Sequence, residues 1–221
     1  MQDITIIKES RRSVAIQILP DGEVVVKAPR FTPDFIIHQF VKTRESWIEK
    51  HKKKQLQVLK IINQKHRYLH EEAFLYLGEV KFLDIGAHPA IAVSHSKLLF
   101  PDFLSFRIKK ELSDWYLKKA KTVITETVIK NAALMGVTYK EIYFSDTKSK
   151  WGSCSADNRL QFNWRLIMAP YLVLNYVVVH ELAHTIEKNH SQSFWRKVEQ
   201  FTPSYRQHVK WLKQHGAELV L

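Results

Sequence analysis

Val177-Val178-Val179-His180-Glu181-Leu182-Ala183-His184 joins an apolar run to an H-E-x-x-H pattern, and the apolar residues predict a helix with one side buried. Residues four apart share a helical face, so the imidazoles of His180 and His184 can reach one metal ion. Glu181 sits beside the first of them and can touch a metal-bound water without being a ligand. A tetrahedral zinc site that keeps one position open needs a third protein ligand. His190 follows after five intervening residues, just beyond Asn189, where the helix can end, and this spacing fits a chain that turns back. Two carboxylates compete for that place. Glu187 stands three residues after His184 on the same helical face, and Glu199 comes one helix later. Glu187 can instead orient a ligand imidazole through its other ring nitrogen.

Outward from this stretch, Ser191 is suited to cap a following helix in which Phe194, Trp195 and Val198 read as core, anchoring His190. Upstream, residues 145–155 form a polar loop between two expected strands, 142–144 and 160–164. Leu160, Phe162 and Trp164 alternate with Gln161 and Asn163, which predicts one buried face and an edge strand to which an extended peptide can add. Lys148, Lys150, Arg159 and Arg165 cluster here, either as exposed loop charges or as cations that stabilise negative charge or hold a phosphate. Cys154 reads first as a small packing residue and only second as a metal ligand.

Further out, Val14, Ile16 and Ile18 alternate, Pro20-Asp21-Gly22 supplies turn chemistry and Val24 to Val26 resumes the extended pattern, so the first thirty residues predict a β-hairpin. One long helix is expected from Thr32-Pro33-Asp34 onward, carrying Phe40, Ile48, Leu56 and Leu59 on its apolar side and His51-Lys52-Lys53-Lys54 on a solvated one. Residues 73–100 read as a meander of strands turning at Gly78-Glu79. From Leu104 to Met135 the steps Leu112, Tyr116, Ala120, Ile124 and Val128 predict a helix that stops at Gly136. The fold class is α+β. With no repeat or flexible linker, a β-rich subdomain over about residues 1–100 and a helical, zinc-bearing one over about 101–221 are expected to form one unit.

With one cysteine in 221 residues no internal disulfide can form. The start lacks a basic stretch followed by an apolar core, and no run approaches the roughly 18 apolar residues of a membrane span. A cytoplasmic protein is expected, without a membrane partner. The net charge of +12 favours polyanions, so nucleic acid or a nucleotide is a candidate partner through the basic surface, against lysines that only confer solubility. Oligomeric state is left open.

Lys150-Trp151-Gly152-Ser153-Cys154, the run Asn163-Trp164-Arg165-Leu166-Ile167, the H-E-x-x-H helix and Asn189-His190-Ser191 before Phe194-Trp195 together resemble the YgjP-like metallopeptidase family. Arg11-Arg12-Ser13, Pro20-Asp21-Gly22, Ala28-Pro29-Arg30 and Phe74-Leu75-Tyr76-Leu77-Gly78 extend the resemblance more loosely to the other half. It implies a zincin-like core related to the WLM and SprT/Spartan-type proteases, with His180, His184 and His190 as zinc ligands and Glu181 as the catalytic glutamate. Lys150 departs from the arginine that the family pattern usually carries before Trp-Gly-Ser-Cys, and lysine does not reproduce a bidentate contact.

The expected chemistry is hydrolysis of a peptide or protein substrate by a zinc-activated water, with Glu181 as base and Tyr205 or His208 as candidate partners for the oxyanion. Two other readings compete. One is hydrolysis of a nucleotide phosphoanhydride, which suits the positive charge but lacks a phosphate-binding loop; the other is a nucleic-acid-associated binding module with a structural zinc.

Overall fold

A computed structural model describes residues 4–18, 23–62, 66–147 and 149–221, with side chains left undescribed from 54 to 62. Two compact units are present, Met1–Lys65 and His66–Leu221. In the first, β1 (Ile4–Glu9), β2 (Ala15–Ile18) and β3 (Val24–Pro29) form a sheet in the order β1-β3-β2. The expected hairpin is present: β2 and β3 pair antiparallel, with Ile16 opposite Val26. Its Pro20-Asp21-Gly22 turn lies outside the described residues, as do the side chains of Lys54, Leu56 and Leu59. β1 joins the other side of β3 in parallel.

The single helix expected after residue 32 is two helices, α1 (Asp34–Lys42) and α2 (Glu45–Ile62). Thr43 Oγ1 donates to the Phe40 carbonyl and Arg44 N–H to that of Val41, closing the first helix with local bonds. The break folds the chain so that Ile37, Val41 and Ile48 pack with Val24, Val26 and Ala28 in one core. Pro33 rather than Thr32 takes the N-cap position, and no side chain bonds there.

The second unit opens with β4 (Ala73–Tyr76), β5 (Glu79–Gly86), β6 (Ala92–Ser94) and β7 (Lys97–Pro101). Their order is β4-β5-β7-β6, with β5 and β7 parallel, so this is not a meander. After β5 the chain lays β6 outermost, and the β6–β7 hairpin returns β7 into the gap. The β4–β5 turn also holds the segment that leads into the H-E-x-x-H helix. Leu77 N–H donates to Ile167 O and Gly78 N–H to Met168 O, just ahead of the H-E-x-x-H helix. Gly78 has φ +77°, and a Cβ there would fall 2.6 Å from Pro170 Cα, so both its backbone and its neighbour require glycine.

A 3₁₀ turn (Asp102–Arg107) leads into α3 (Ile108–Met135), which buries Leu112, Tyr116, Ala120, Ile124 and Val128 and ends at a left-handed Gly136, as the periodicity predicts. Tyr116 Oη donates to the Leu75 carbonyl inside the core, so the strands of 73–101 pack as one body with the helix that follows them. Next come β8 (Glu141–Ser145), β9 (Gly152–Cys154) and β10 (Arg159–Asn163), then a 3₁₀ turn (Trp164–Met168), α4 (Tyr171–Ala183), α5 (Gln192–Phe201) and α6 (Tyr205–His215). The sheet order is β8-β10-β9. β10, expected at an edge, is therefore central: it bonds β8 in parallel and β9 antiparallel. The loop expected over 145–155 holds β9, whose Gly-Ser-Cys shows no apolar alternation, and β8 and β9 are the two edges. The class is α+β, as expected. No described helix is long and apolar enough to cross a membrane.

Candidate metal centre

α4 is apolar on nearly every side and buries Val173, Leu174, Val177, Val178, Val179 and Leu182. It is tied to α3 by Asn131 Nδ2 donating to Asn175 Oδ1. The helix stops at Ala183, with His184 as its C-cap, earlier than the expected end at Asn189. Thr185 Oγ1 donates to the Leu182 carbonyl and the Ile186 and Glu187 N–H groups donate to Ala183 O, which bends the chain at once. Lys188 Nζ then donates to Ser155 O and Asn158 Oδ1 in the β9–β10 turn. Ser191 Oγ accepts from Phe194 N–H and starts α5, as expected of an N-cap.

This turn brings His190 back to the helix. One ring nitrogen from each of His180, His184 and His190 lies within 4.8 Å of the others. His180 Nε2 and His190 Nε2 are 3.1 Å apart, close to the edge of about 3.3 Å that a tetrahedron of zinc–nitrogen bonds near 2.0 Å would have. Burial, with His184 and His190 adding to it, pushes His180 down to about 3, and burial lowers His184 too. Three converging ring nitrogens fit a metal ion.

The competing ligands are occupied elsewhere. Glu187 lies past the helix end, and its carboxylate accepts from Ser193 Oγ; its main-chain carbonyl, not its carboxylate, meets His184 Nδ1 at 3.0 Å. Glu199 pairs with Arg206, and Cys154 Sγ lies 3.9 Å from Lys188 Nζ. At the other ring nitrogen of His180, Nδ1, stands the Tyr176 hydroxyl, 3.4 Å away. Partners of this kind orient a metal-binding imidazole. We expect Tyr176→Phe to weaken metal affinity about tenfold, the low end for such a partner at this distance, in a chelator competition. Unchanged affinity would leave Tyr176 a packing residue only.

Glu181 is 5% exposed. Burial raises its carboxyl to about 8, with the Lys150 ammonium opposing the shift. Its near neighbour is Gly152 on β9, where an added Cβ would stand 2.6 Å from Glu181 Oε1. Without a metal cation nearby, the buried acid holds its proton more tightly folded than unfolded, so folding stability falls as pH rises from about 4.5 to 8. His180 acts in the opposite sense, costing stability as pH falls from 6.5 toward 3. Thermal melting of metal-free protein should therefore show wild type losing more stability than Glu181→Gln between pH 4.5 and 8. Parallel curves would mean that Glu181 is solvated.

Phe194 is fully buried against the three imidazoles, and Trp195 stacks on His190 at 5.6 Å and on Tyr205 at 5.1 Å. Tyr205 and His208 are buried, the latter with its ring 6.1 Å from that of Tyr176. Arg165 pairs with Asp146 and lies over the Trp164 ring; Arg159 pairs with Glu141 and Asp157. Lys148 lies outside the described residues. Sequence reasoning misses Tyr176 and Gly152 as neighbours of the site; Tyr176 precedes His180 by four residues, one helical step, and that spacing is the signal that could find it.

Two solved structures are similar over part of the chain. The metallopeptidase zymogen of Pyrococcus abyssi abylysin is 18% identical, with a TM-score of 0.38, over 41% of this chain and 93% of that one. The metallopeptidase zymogen of Methanocaldococcus jannaschii jannalysin is 21% identical, with a TM-score of 0.37, over 41% and 94%. No curated protein matches. The family profile described as YgjP-like, metallopeptidase domain matches residues 12–215, a span that runs from before β2 to the end of α6 and takes in the three histidines and Glu181. The chain therefore belongs to the YgjP-like family and is, in general terms, a metal-dependent peptidase.

Proposed function

We propose that the chain is a zinc metallopeptidase in which His180, His184 and His190 hold the ion and Glu181 is the general base. The observation that carries this is the convergence of three ring nitrogens within 4.8 Å beside a buried carboxylate. A three-imidazole set suits zinc, whereas magnesium and calcium favour oxygen ligands. When bound, zinc supplies a Lewis acid that polarises the scissile carbonyl and makes water acidic near neutral pH. With the site filled, Glu181 would accept a proton from the attacking water on its carboxylate and pass it to the leaving amine. β9 pairs with β10 on one side, and no described strand pairs with its other side. An extended peptide adds to that edge with its backbone, next to Glu181.

Because the family match runs through both compact units, we take them to serve one activity. The single cysteine suits a reducing compartment, and we assign the chain to the cytoplasm. The reading is tested by elemental mass spectrometry on protein purified without added metal, together with cleavage of a quenched-fluorescence peptide. About one zinc per chain and chelator-sensitive cleavage are expected; protein that neither carries nor takes up zinc would overturn it.

A further inference from the structure

We propose that this peptidase selects acidic peptides, with Lys150 and Lys188 as the groups that bind their side chains at the two ends of β9. The proposal rests on the reading of β9 as the strand that receives substrate. Lys150 is exposed and stands two residues before Gly152; its backbone is held by Asn163, whose N–H donates to Trp151 O and whose Nδ2 reaches Lys150 O. Lys188 is docked at the opposite end, 3.0 Å from Ser155 O and 2.6 Å from Asn158 Oδ1. Both of those acceptors are uncharged oxygens.

Three other described cations around this sheet are neutralised. Arg159 pairs with Glu141 and Asp157, Lys140 with Asp157, and Arg165 with Asp146. No carboxylate among the described residues forms an ion pair with Lys150 or Lys188, and the neighbouring Glu187 is turned to Ser193. The strand therefore offers unpaired backbone along its open edge and unspent positive charge at both ends. At about 3.3 Å per residue the stretch from 150 to 155 is roughly 17 Å long, so an extended peptide of about five residues spans both lysines. Electrostatic complementarity of this kind sets specificity and register. Gly152, two residues after Lys150, lies against the buried Glu181, so this end of the strand is beside the candidate base.

The test uses zinc-loaded full-length protein and three quenched-fluorescence peptides that differ only in carrying Glu, Gln or Lys within two residues on either side of the scissile bond. Wild type is expected to cut Glu above Gln above Lys, by roughly threefold to fivefold per step in kcat/KM, with the order flattening at high salt. Lys150→Glu should reverse the order on one side of the bond and Lys188→Glu on the other. Because Lys150 is exposed, its variant tests the idea even if Lys188→Glu disturbs the turn. Cleavage by wild type without preference for Glu, or variants that change all three peptides equally, would overturn the acidic selectivity alone. If wild type cuts none of the three, the peptidase reading falls and the selectivity with it.

Discussion

Glu181→Gln is expected to lower peptide hydrolysis by roughly 10²–10⁴-fold while zinc stays bound, the loss typical of removing a general base. Glutamine keeps the shape of the side chain and so still fits against Gly152, where even a methyl group would stand 2.6 Å from Oε1. What it lacks is a site for the water proton. Since none of the three nitrogens within 4.8 Å belongs to Glu181, metal content should not move. Hydrolysis at the wild-type rate would place the base elsewhere, and loss of zinc would make Glu181 part of the binding shell.

His190→Ala should empty the site. The two helical imidazoles remain, but a zinc ion held by two protein nitrogens lacks the third ligand that open sites use. The drop in affinity should exceed the roughly 10–100-fold that a supporting residue costs. His190 is exposed, so melting of the metal-free protein should hardly change. Glu187→Ala is the control: its carboxylate faces Ser193, and zinc should persist. The opposite pattern, zinc kept in His190→Ala and lost in Glu187→Ala, would return the carboxylate to the role of third ligand.

The clustering of the three histidines is legible because it depends on two short-range regularities. A four-residue repeat puts His180 and His184 on one face, and a capping serine announces the helix after His190. The stop at Ala183 was not legible, because no glycine marks it; the Thr185 hydroxyl and the Lys188 anchor make the turn, and the anchor reaches residues about thirty positions away. Alternation showed that Leu160 and Phe162 point inward, and both are fully buried. It could not show that β10 has neighbours on both sides, since the parallel pairing with β8 leaves no local trace. The same holds for β7, which slots beside β5 after the chain has gone past it. The break at Thr43-Arg44 was hidden by apolar spacing that continues through it.

The close approach at Gly152 makes β9 both the wall behind Glu181 and the strand that substrate would join. A three-residue strand with one partner is a weak element by itself. Main-chain bonds from a bound peptide would brace it from the free side and hold the carboxylate more firmly while the peptide is in place. Substrate length then enters turnover as well as affinity: a dipeptide too short to run along the strand leaves the wall unbraced, and its penalty falls on kcat in addition to KM.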